Sequence, residues 1–65
     1  RPKDAERSFK QVLLLNPNDS NAHYSLGILY EKEKRKKEAI EEFQKVLELN
    51  PNDSNVILRL NQLTK

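Results

Sequence analysis

The chain has 65 residues, of which 35% are hydrophobic and 34% charged, with no cysteine, one histidine and a formal net charge of +2. This excludes a disulfide framework and a thiolate or multi-histidine zinc site, the usual supports of a small domain whose core supplies only ~3–5 kcal/mol. No apolar run approaches the roughly 18–20 residues that cross a bilayer, so no membrane partner is expected and helix packing is the support that remains.

The first predicted element is a helix over about residues 2–15. Pro2 suits its first turn, where a missing N–H costs nothing. Pro17 then ends it, because proline lacks the donor and disfavours helical geometry in Asn16. Asp19 follows, where its carboxylate can accept from the first free N–H groups of a second helix over about 19–33. In that helix Ala22, His23, Leu26, Leu29 and Tyr30 fall at the three- and four-residue steps of one face.

From Glu31 through Glu38 run five bases and three acids, a knot that carries the whole net charge. A nucleic-acid binder spreads a basic stripe over a face. Lys34-Arg35-Lys36-Lys37 therefore reads as a solvated turn, and nucleic acid is not expected as a partner. A third helix, about 36–49, aligns Ala39, Ile40, Phe43, Val46 and Leu47. Asn50-Pro51-Asn52-Asp53 repeats the stop and the cap before a fourth helix, about 53–64. No strand pattern competes.

Sliding the sequence over itself by 34 residues exposes an internal copy. Asn16-Pro17-Asn18-Asp19-Ser20-Asn21 recurs unchanged as Asn50-Pro51-Asn52-Asp53-Ser54-Asn55. Ala5, Phe9, Val12, Leu13 and Leu15 recur as Ala39, Phe43, Val46, Leu47 and Leu49, and Leu26 and Leu29 as Leu60 and Leu63. Of the 31 comparable pairs 15 are identical, so the chain is read as a stacked repeat before any other motif is weighed.

The central period, His23-x2-Leu26-Gly27-x2-Tyr30…Ala39-x3-Phe43…Pro51, resembles the tetratricopeptide repeat. Only the tryptophan of that pattern is replaced, by the flat ring of His23. The resemblance covers the whole chain. Residues 1–19 match the second helix of a preceding repeat, 20–53 one complete repeat, and 54–65 the first helix of a following repeat or a capping helix. It implies an all-α fold, a right-handed α-solenoid of antiparallel helix pairs with about four helices.

Gly27 inside a helix costs about 1 kcal/mol relative to alanine, so a packing reason is expected: a close partner helix, with Tyr30 and Phe43 beside it and Ala39 as the small residue opposite. Two departures matter. Lysines occupy the family's glycine and aromatic places at Lys34 and Lys36, so a turn without its left-handed residue and an extended or frayed helix end around Glu33 to Lys36 are expected. In the last helix Asn61 and Thr64 replace the glycine and tyrosine, which predicts a cap with a polar outer face.

No nucleophile and base recur at a usable spacing, so no catalytic, cofactor-binding or metal-ligating residue is expected and the chain is not read as an enzyme. His23 is read as a packing residue. Asn18-Asp19-Ser20 and Asn52-Asp53-Ser54 match the glycosylation sequon, but the turn and cap already account for them. The resemblance implies a protein or peptide partner held on a concave face lined by the first helices of successive repeats. Matching positions are Asn21, Tyr24, Ile28 and Glu31, then Asn55, Leu58, Gln62 and Lys65. An exposed tyrosine and aliphatics among amides suit an extended peptide or a partner helix.

One subclass of the family grips C-terminal carboxylates with lysine, asparagine and arginine. Arg59 matches the arginine, but Asn55 and Ser25 stand in the other two places, so that clamp is not expected. The alternative reading is a self-associating segment, a homo-oligomer through the uncovered first helix at Phe9, Val12 and Leu14. Leu14 departs from its counterpart Glu48. With Arg1 first and no methionine, the sequence is expected to be an excised or processed segment, from a soluble, cytoplasmic chain.

Overall fold

The two Asn-Pro-Asn-Asp segments fold alike in the computed structural model, which describes residues 2–65; Arg1 lies outside the described residues. In each, the aspartate N–H donates to the carbonyl of the asparagine three residues back, at 3.1 Å for Asp19 and 3.2 Å for Asp53. Asp19 stands at φ −76°, ψ 99° and Asp53 at φ −73°, ψ 98°. Their carboxylates accept from the N–H of Ala22 at 3.1 Å and of Val56 at 3.3 Å. One hexapeptide, used twice, makes one turn and one helix cap twice.

These turns separate α1 (Pro2–Leu15) from α2 (Ser20–Lys32), and α3 (Lys36–Leu49) from α4 (Ser54–Leu63). The turn between α2 and α3 differs from the expectation of an extended or frayed helix end without a left-handed residue. Lys34 adopts φ 62°, the left-handed conformation that glycine would take without strain. Its N–H donates to the Glu31 carbonyl at 3.1 Å, and the Arg35 N–H to the Tyr30 carbonyl at 2.8 Å. That pair of bonds is the Schellman motif, built here with lysine at its left-handed position.

Among the described residues the closest backbone packing is between helices consecutive in sequence, and the α2–α3 interface is the largest. Packing dominated by adjacent elements is the mark of a repeat array. The core consists of Leu26, Tyr30, Ala39, Phe43, Val46 and Val56, drawn from α2, α3 and α4. Phe43 is 0% exposed, and removing a ring so placed costs about 3–5 kcal/mol. Gly27 faces that ring, so the expected close crossing is present and its cause is visible: there is no room for a Cβ. From α1, Phe9 and Leu13 pack partly buried against this core. The outer face of α4 is not purely polar, since Ile57 and Leu58 stand exposed beside Asn61 and Gln62. Thr64 ends α4, its hydroxyl donating to the Leu60 carbonyl at 2.7 Å.

Candidate functional site

The positions expected to face a partner lie on α2 and α4, and Tyr24 is their junction. It is half-buried rather than exposed, because its ring tilts against Phe43 with centroids 5.8 Å apart. On one side it borders a hollow shared with Asn21, Asn55, Val46, Asn50 and Asp53. On the other it borders a more apolar hollow with Ile28, Leu29 and Phe9. Asn21 and Asn55 are exposed, so their amides remain available to a peptide backbone. Leu58 (57% exposed) and Gln62 are also exposed on α4, but they line neither hollow.

Arg59 ties the two helices together. Its guanidinium donates to Glu31 Oε1 at 3.1 Å and stands 6.0 Å from the centre of the Tyr24 ring. Glu31 is therefore engaged within the chain. The pair spans 28 residues and carries no local signal, so only the stacking of α4 beside α2 reveals it. Lys65 is exposed beyond the end of α4.

The residues expected for self-association do not share one surface. Phe9 faces the hollow with Tyr24, whereas Leu14, 82% exposed, lines a groove between α1 and α3. Val12 is exposed and lines neither. Helical spacing separates Phe9 from Leu14: five residues at 3.6 per turn leave them about 140° apart around the helix.

Two polar clusters hold the helices that carry this face. His23 is buried, with Nδ1 at 2.7 Å from Glu42 Oε1 and Nε2 at 2.8 Å from the Pro17 carbonyl oxygen. It braces α2 against α3 and the first turn, and both ring nitrogens are occupied within the chain. At the other end, Glu6 accepts from Lys10, from the Tyr30 hydroxyl and from Arg35, each at 3.0 Å. Lys10, then Tyr30 and Arg35, hold the Glu6 carboxyl down to about 2. Burial, and then the bond to Glu6, push the Tyr30 hydroxyl up. Arg35 also binds Glu38 and Glu33 and lies 4.4 Å above the Tyr30 ring, so the middle of the basic run is engaged within the chain. The bond to Glu38, then those to Glu33 and Glu6, raise the Arg35 guanidinium further.

Successive helices joined by recurring turns, with α2 and α4 capped alike and braced against their neighbours by polar clusters, define a helical-repeat fold. The tetratricopeptide repeat family model matches residues 20–53, over half of the sequence, and the chain belongs to that family. Repeats of this family are non-catalytic and serve protein–protein interaction. A search of curated protein sequences returns no match. Among the described residues no helix is long and apolar enough to cross a membrane.

Proposed function

We propose that this chain binds an extended peptide or a partner helix along the face formed by α2 and α4, as a scaffold rather than a catalyst. The observation that carries this reading is Tyr24, half-buried between a hollow edged by the Asn21 and Asn55 amides and a more apolar one edged by Ile28. An anchored aromatic flanked by free amides is the composition of a binding hot spot: apolar area to bury, and bonds that fix orientation. Glu31 is neutralised there by Arg59, while Leu58 and Gln62 extend the contact along α4.

The test is selection of short peptides from a displayed random library on the immobilised chain, followed by titration of the best binder. Tyr24→Ala and Asn55→Ala are expected to weaken it by roughly tenfold or more each. Unchanged affinity in both variants, with their helix content intact, refutes the reading.

A second reading is self-association through the first helix. Leu14 and Leu15, 82% and 92% exposed at the end of α1, favour it.

A further inference from the structure

We infer that two copies of this chain pair about a two-fold axis through the groove between α1 and α3, with Lys45 of each copy facing Glu48 of the other. This rests on the self-association reading and gives it a surface and a symmetry. The groove, about 690 Å³, has an apolar floor of Leu13 and the buried Leu26, and the exposed Leu14 and Leu49 also line it. Leu14 occupies the place that holds Glu48 in the second copy of the repeat, so the apolar side of the groove is a departure from the repeat.

The charges around that floor point to the occupant. Lys10 is bound to Glu6, and Glu42 to His23, so both are engaged within the chain. Lys45 and Glu48 line the same groove from α3, are exposed, and have no ion-pair partner among the described residues. They are three residues apart on one helix face and opposite in sign. A half-turn that lays α3 against its copy brings each lysine to the other chain's glutamate. A surface with this pattern is self-complementary, which is the requirement of an isologous interface. The same rotation covers Leu14 and Leu49 of both chains.

Sedimentation of the 65-residue chain from micromolar to millimolar concentration tests this. The expected result is a rise from the mass of one chain to that of two. Because the interface contains Leu14 twice, Leu14→Glu is expected to weaken pairing by roughly a hundredfold or more, with helix content and melting temperature unchanged. Lys45→Glu and Glu48→Lys are each expected to weaken pairing, and the chain carrying both reversals to regain it. The mass of one chain at every concentration overturns self-association altogether and leaves the groove open to a different protein. A dimer indifferent to the charge reversals, or a mass that climbs past two chains, overturns the two-fold pairing while self-association stands.

Discussion

The ring of Phe43 lies so close to the backbone of Gly27 that a Cβ built there would meet Phe43 Cε1 at 2.5 Å and two further ring carbons at 2.8 Å. The ring cannot retreat, since it is fully buried among Leu26, Tyr30 and Val46. Alanine gains about 1 kcal/mol of helix propensity over glycine, while overpacking a tight core costs about 1–3 kcal/mol. Steric conflict is expected to win. Gly27→Ala should lower the thermal midpoint, and Gly27→Leu should lower it further; a raised midpoint for Gly27→Ala would contradict the close crossing.

Lys34 gives the opposite prediction. A side chain held in the left-handed region is strained by about 1 kcal/mol or more, and glycine relieves that strain without loss of the two Schellman bonds. Allowing for glycine's greater freedom in the unfolded chain, Lys34→Gly should stabilise by roughly 0.5–1 kcal/mol in urea unfolding.

The Glu6 cluster predicts an acid-sensitive step. Its carboxyl is held down to about 2 from an ordinary 4.5, so its contribution is fully present above about 4.5 and is lost as pH falls toward 2. Melting curves across that window should show stability falling with acidity. In Glu6→Gln, which cannot form the ion pairs with Lys10 and Arg35, that part of the fall should be missing.

His23 is a brace, and an apolar replacement should expose the difference. Position 57, its counterpart in the repeat, holds isoleucine. His23→Ile would leave the Glu42 carboxylate and the Pro17 carbonyl without their shared partner, at a cost of about 1–3 kcal/mol. Equilibrium denaturation that finds this variant as stable as the parent would show that water replaces the ring without loss.

The helices were legible in the sequence because their signals are local or strictly periodic. Pro17, Pro51, Asp19 and Asp53 mark the turns, and Gly27 and Phe43 sit at the spacing that packing requires. What escaped is non-local. Lysine gives no sign that Lys34 turns left-handed, in a turn where Arg35 is bonded to Glu6, 29 residues earlier in the chain. Arg59 and Glu31 are equally remote, and Tyr24 reads as exposed until Phe43 is seen beneath it. The split of Phe9 from Leu14 follows from helical geometry, but which groove each enters depends on where α2 and α3 lie.

The most direct test of the proposed binding face is an amide chemical-shift map of the labelled chain titrated with a library-selected peptide. Binding on α2 and α4 predicts the largest shifts at Asn21, Tyr24, Ile28 and Asn55, with the amides of Leu14 and Lys45 unmoved. Shifts confined to α1 and α3, with Tyr24 and Asn55 silent, would contradict it.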